Sequence, residues 1–144
     1  MGRKSSSNEK SIMNPVMIDT SVWIDFFKGM TNSKTELVKE YLEKEYPVFI
    51  CPLILQEVLQ GIRKDDDYLK VKSSMLNLEI LLIDQMESSI GAADLYRSLR
   101  KKGITIKRTN DCIIAFYAIY FGIHLVHKDK DFDLIADNTS LKVM

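Results

Sequence analysis

Pro15-Val16-Met17-Ile18-Asp19-Thr20-Ser21-Val22-Trp23-Ile24-Asp25-Phe26-Phe27 carries two periodicities in one short stretch. Pro15 to Ile18 is a continuous apolar run, the pattern of a strand buried on both faces. It ends in Asp19-Thr20-Ser21, residues whose short oxygens suit turns and helix N-caps. Val22 to Phe27 then continues as an amphipathic helix up to Gly29. The order is strand, turn, helix, and the rest of the chain repeats it.

Leu37, Val38, Tyr41 and Leu42 fall at helical spacing within Thr31 to Tyr46, and Val48-Phe49-Ile50-Cys51 reads as a second buried strand closed by Pro52. The pattern predicts helices over Leu53–Ile62 and Asp65–Leu78, the latter with three aspartates at its positive end, and a third strand over Glu79–Ile83. A long helix over Met86–Lys102 ends in a basic turn before Gly103. Thr109 or Asn110 is placed to cap a helix over Asp111–Phe121, which stops at Gly122. His124-Leu125-Val126-His127 reads as a fourth strand running into Lys128-Asp129-Lys130-Asp131-Phe132, and Leu141-Lys142-Val143 offers a fifth. Short apolar strands alternating with helices indicate an α/β fold of three layers: a central parallel sheet of four or five strands flanked by helices.

The chain has 144 residues, 46% apolar and 28% charged, with twenty Lys+Arg against twenty Asp+Glu. Such a composition excludes a disordered chain, a collagen and a disulfide scaffold. Zero net charge argues against a protein that coats nucleic acid through bulk electrostatics. The polar, serine-rich residues 1–14 read as a flexible leader, and 15–144 as a single domain. Met1-Gly2 with Ser6 fits the N-myristoylation pattern, a short match that a single-chain anchor makes weak. Cys51 and Cys112 lie in apolar stretches and read as reduced and buried, in keeping with a cytoplasmic protein. The longest uncharged run, Cys112 to Val126, is too short for a membrane span of about 20 residues.

Ligands of such folds bind beyond the carboxyl ends of the strands. Asp19 closes the first strand and Asp129 follows the fourth, so both project at one edge of the sheet. Asp111 starts a helix beside them, and Glu57 flanks the apolar stripe Ile54, Leu55, Val58, Leu59 and Ile62. Taken singly, each has an ordinary structural duty as a cap, a turn former or a surface glutamate. Taken together, four converging carboxylates repel, by about 4 kcal/mol for two charges 4 Å apart at an effective dielectric near 20. Protons or a divalent cation relieve this, and all-oxygen ligation suits Mg²⁺ or Mn²⁺.

Four segments carry a resemblance. Met17-Ile18-Asp19-Thr20-Ser21-Val22-Trp23-Ile24, Gln56 through Ile62, Thr109-Asn110-Asp111-Cys112-Ile113-Ile114-Ala115 and Lys128-Asp129-Lys130-Asp131-Phe132 look like the four motifs of the PIN-domain nucleases, particularly the VapC toxins of toxin–antitoxin systems. The likeness runs from about Val16 to Val143. It implies a PIN-like fold and an endoribonuclease that hydrolyses RNA with Mg²⁺ or Mn²⁺, forms a homodimer and is held inactive by a cognate antitoxin. By that similarity Asp19, Glu57, Asp111 and Asp129 are the acidic quartet, with Asp19 and Asp111 the main metal ligands and Glu57 and Asp129 completing the first or second shell of the metal. Asp131 competes with Asp129 for the fourth place. Thr20 or Ser21 would orient a carboxylate or a metal-bound water, and Asn110 would either support the site or cap its helix. Two departures stand out: Phe116 where a small residue is common, and Lys128 where Thr or Asn is often found.

RNA needs cations at the rim. Lys107 and Arg108, just before the third acid, and Lys128 are the first choices among the candidates Arg63, Lys64, Arg97, Arg100, Lys101, Lys102 and Lys130. Other chemistries lack residues. A haloacid-dehalogenase-type site wants a second Asp where Ser21 stands, a receiver domain wants paired acids after the first strand, and His124 and His127 have no zinc-ligand spacing. Trp23, Phe26 and Phe27 read as core or subunit contact rather than as a base-stacking platform. The remaining alternatives are a PIN-like module that only binds partners and an RNA-processing PIN nuclease that is not a toxin.

Overall fold

The computed structural model describes residues 13–144; the myristoylation pattern and residues 1–12 of the expected leader lie outside it. Five parallel strands form one sheet in the order β3-β2-β1-β4-β5: β1 Val16–Ile18, β2 Val48–Ile50, β3 Glu79–Ile80, β4 His124–Val126 and β5 Lys142–Val143. Among the described residues seven helices connect and flank them: α1 Thr20–Phe27, α2 Ser33–Glu43, α3 Pro52–Gln60, α4 Asp65–Leu76, α5 Gln85–Lys101, α6 Thr109–Phe121 and α7 Lys130–Asn138. The chain moves outward from β1 through β2 to β3, then crosses back to β4 and β5. Right-handed crossovers in the two directions put helices on opposite faces. The packing follows: α1 lies against α2 and α3, and α3 against α4, while α6 lies against α5 and α7.

The central strand is the driest. Val16 and Met17 are fully buried and Ile18 nearly so, together with Ile50, Leu125 and Val126 on the neighbouring strands. β1 is paired on both sides, Met17 with Phe49 and with Leu125, so its continuous apolar run is what a central parallel strand requires. Met13 packs against this core, and Asn14 accepts a hydrogen bond from the Tyr41 hydroxyl at 2.9 Å.

The structure revises several elements. The strands are two or three residues long rather than four or five; β3 ends at Ile80 and leaves Leu82 exposed at the sheet edge. α2 begins at Ser33, because Asn32 forms a reciprocal capping box with Thr35. Neither Thr109 nor Asn110 caps α6: Arg108 stands at the N-cap without a side-chain cap bond, and both expected caps lie inside the first turn. Gly122, at φ +65°, ends α6 in the left-handed region and turns the chain into β4. The segment after β4 forms a further helix, α7, beyond those the pattern predicts; Phe132 and Ile135, three residues apart, are its buried anchors. Cys51 and Cys112 are free and buried. Among the described residues no helix is long and apolar enough to cross a membrane.

Candidate active site

The sheet order changes direction between β1 and β4, since β1 leads away to β2 and β4 leads away to β5. At such a switch point the loops beyond the strand ends diverge and leave a crevice. Asp19 is the first residue past β1, its backbone N–H donating to the Val126 carbonyl at 2.9 Å, and Asp129 lies three past the end of β4. Both expected strand-end acids therefore stand at one edge, on adjacent strands.

Each is held by the start of a helix. Asp19 is the N-cap of α1, and its Oδ2 accepts from the Ser21 hydroxyl at 2.6 Å and, at a long 3.4 Å, from the Ser21 N–H. Its other oxygen, Oδ1, is buried without a hydrogen-bond partner. Asp129 is the N-cap of α7, its Oδ1 accepting from the Asp131 N–H at 2.9 Å. Asp111 sits in the first turn of α6, where the helix dipole favours a negative charge. It is 1% exposed, and its Oδ2 is likewise buried and unpartnered.

Glu57 reaches the group from α3, whose Ile54 and Val58 are fully buried and so fix the rotation of the helix. Both Glu57 oxygens are engaged. Thr20 Oγ1 donates to Oε1 at 2.6 Å and Asn110 Nδ2 donates to Oε2 at 3.1 Å. The alternative between Thr20 and Ser21 thus resolves into a division of labour, one hydroxyl on Glu57 and the other on Asp19. Asn110 is no cap; it ties α6 to α3.

Electrostatics record the convergence. Burial pushes the Asp111 carboxyl up to about 7; Arg108 opposes the shift, and the charges of Asp19, Asp129 and Glu57 add to it. Asp19 is raised too, again mainly by burial and against its bonds from Ser21. Among the described residues no three His, Cys, Asp or Glu side chains stand gathered as a ready-made metal cage. The two orphaned buried oxygens of Asp19 and Asp111 are the open valences, and Mg²⁺ commonly takes only one or two carboxylates, filling the rest with water and phosphate. The residues present fit such an ion.

A cleft of about 470 Å³ opens beside the acids, lined by Ser21, Lys107, Arg108, Lys128, Asp129, Lys130 and Asp131. The expected rim cations are there. Lys128 is committed, however: its ammonium is 2.5 Å from Oδ2 of the buried Asp25. Asp131 accepts from the Lys107 N–H at 3.3 Å and so secures the loop before α6. Arg63 and Lys64 line a separate groove of about 670 Å³ between α1, the segment joining α3 to α4, and α4, which contains none of the four acids.

Sequence reasoning missed one supporting residue. His127 is buried, and its Nδ1 accepts from the Asp129 N–H at 3.0 Å while Nε2 lies 3.2 Å from Asp133 Oδ1. An accepting Nδ1 leaves the neutral ring's proton on Nε2, and burial lowers the tendency of the ring to charge. The legible signal was a histidine two residues before an acid at a strand end. Trp23 is buried, stacked on Phe27 at 5.6 Å, and belongs to the core.

Residues 16–138 match the model of the PIN domain. The chain is 34% identical over 128 residues to the VapC ribonuclease Mb1587 of Mycobacterium bovis, covering 88% of this chain and 96% of that protein. Its fold is similar to that of VapBC2 from Rickettsia felis bound to a promoter DNA fragment (TM-score 0.71, 22% identity, 90% of this chain and 96% of that one). It is similar also to DNA-bound VapBC from Salmonella typhimurium (TM-score 0.73, 20% identity, 92% and 98%). With an acid at each expected strand end and a match running through all four motif segments, the chain belongs to the PIN domain family, in its VapC branch.

Proposed function

We propose that this protein is a Mg²⁺- or Mn²⁺-dependent endoribonuclease, the toxin of a toxin–antitoxin pair, with residues 15–144 as its nuclease domain. The observation that carries the reading is the pair of buried, unpartnered oxygens on Asp19 and Asp111 at the switch point of the sheet. Leaving two carboxylate oxygens buried and unsatisfied is costly. A cation there would neutralise both and supply an activated water together with charge stabilisation at the phosphoryl group.

The chain's own residues do the rest. Ser21 fixes the rotamer of Asp19, and Thr20 and Asn110 hold Glu57 so that it faces the other acids without being free to swing. Glu57, steadied on both oxygens and with a lone pair left on each, completes the ion's shell directly or through a bound water. Asp129 takes the fourth place and Asp131 the loop contact. Lys107, Arg108 and Lys130 present positive charge to the phosphates, while Lys128, through Asp25, ties the β4–α7 turn to α1 and so holds the cleft's shape.

The toxin assignment is supported by the VapC name of the curated relative and by solved neighbours that are VapBC complexes; by that likeness the partner is a cognate antitoxin. A cytoplasmic homodimer fits the same reading, with Met86 and Ile90 exposing apolar surface on α5.

Cleavage of RNA by the purified chain, with and without Mg²⁺ or Mn²⁺, tests the proposal. Asp111→Asn should lower the rate at least about a hundredfold, since it removes an interaction made with the reacting centre. Metal-independent cleavage, or full activity in Asp111→Asn, overturns the assignment. A folded chain that cleaves no RNA yet binds an antitoxin is a binding module instead. Growth arrest on expression, relieved by a neighbouring small gene, separates a toxin from an RNA-processing nuclease.

A further inference from the structure

Arg108 is the one cation, among the described residues, that forms an ion pair with any of the four acids. Its Nη2 lies 3.6 Å from Glu57 Oε2 and its Nε 3.9 Å from Asp111 Oδ1, so one guanidinium spans acids from α3 and α6. Both separations exceed hydrogen-bonding range, and the side chain is 55% exposed. Loose, half-solvated pairs of this kind are held weakly and exchange easily. Among the described residues its side chain makes no cap bond either, although Arg108 stands at the N-cap of α6. On its other side it lines the cleft with Lys107 and Lys130, where an RNA phosphate would enter.

The geometry points to Arg108 as a resident counter-ion that balances the acid cluster while no divalent cation is bound and turns to the RNA phosphate once one is. This rests on the metal-dependent reading above and adds an order of events to it: the cation displaces the arginine, and the displaced arginine completes the phosphate site. The same side chain then opposes the first ligand and favours the second. A plain phosphate-binding arginine would affect only RNA, and a plain structural ion pair would affect only stability.

The test compares wild type, Arg108→Ala and Arg108→Lys in two binding experiments. Mn²⁺ affinity is read without RNA by the loss of free-ion electron paramagnetic resonance signal at low salt. Affinity for a fluorescent single-stranded RNA is read by anisotropy with Ca²⁺ in place of Mg²⁺. Removing one positive charge within a few ångströms of the site should tighten Mn²⁺ binding roughly three- to tenfold and weaken RNA binding by a similar factor. Arg108→Lys, which keeps the charge, should stay near wild type for Mn²⁺. Unchanged or weaker Mn²⁺ binding in a folded Arg108→Ala overturns the counter-ion role, and unchanged RNA binding overturns the hand-over. If wild type and Arg108→Ala both fail to bind Mn²⁺, the metal-dependent reading itself falls.

Discussion

Asp111 shows how much one residue's setting matters. An aspartate in the first turn of a helix ordinarily gains from the dipole, yet here burial lifts its carboxyl to about 7. In the metal-free protein the folded state therefore binds a proton that the unfolded chain, titrating near 3.8, has already released. Between those values the native state holds more protons, so stability falls as pH rises from about 4 to about 7 and levels off above. Melting temperatures of the metal-free protein across that range should decline, apart from the background of other groups. Asp111→Asn, which carries no charge to bury, should flatten this part of the profile and raise the melting temperature at pH 7.5 while leaving it little changed at pH 4.5. A variant with the wild-type slope would show that Asp111 is not the group responsible. Ser21 and Thr20 make a related point: adjacent hydroxyls serve different carboxylates because successive residues in a helix point about 100° apart.

At the level of elements, the packing of α5 on α6 explains the departure at Phe116. Gly91 on α5 faces that ring: a Cβ at position 91 would lie 2.2 Å from Phe116 Cε1 and 2.3 Å from Cζ. The large residue on one helix is matched by the absence of a side chain on the other. Gly91→Ala should then destabilise, because overpacking costs about 1–3 kcal/mol against about 1 kcal/mol gained in helix propensity. The net loss, on the order of 1 kcal/mol, is measurable by urea denaturation, and Phe116→Leu in the same chain should recover it. Additive losses in the double variant would mean the ring moves aside and the two positions are independent. α6 also explains the failed cap. Local chemistry favours Thr109 or Asn110 as the cap, but Asn110 finds its partner on Glu57, 53 residues away in sequence, and the helix already starts at Thr109. α7 was missed for a complementary reason, since its first turn, Lys130-Asp131-Phe132-Asp133, is mostly charged and its apolar anchors become decisive only against the sheet.

Across the whole molecule, three separate crossovers bring residues 19, 57 and 129 near enough to Asp111 for their charges to act on it, so the arrangement exists only in the folded chain. A cation that binds there binds the native state alone and must stabilise it by mass action, by about 2.7 kcal/mol at a hundred times the dissociation constant. Mn²⁺ at that excess should raise the melting temperature by several degrees, and an Asp19→Asn, Asp111→Asn double variant should lose the shift. An equal rise in the double variant would place the ion elsewhere. The sequence by itself determined the α/β class and the central strand, because burial on both faces writes a continuous apolar run, and it marked Asp19 and Asp129 as candidate acids because the ligand edge of such a sheet lies where those runs end. Phe132 and Ile135 at helical spacing held α7 in the same letters, unread. Tertiary structure alone decided which carboxylate oxygens are left without a partner, that Thr20 and Asn110 belong to Glu57, that His127 supports Asp129, and that Arg108 leans into the acids while Lys128 is held by Asp25. Apart from the local His127–Asp129 and Arg108–Asp111 contacts, these join residues from about forty to more than a hundred positions apart or are orientations set by burial, and local periodicity carries no information about either.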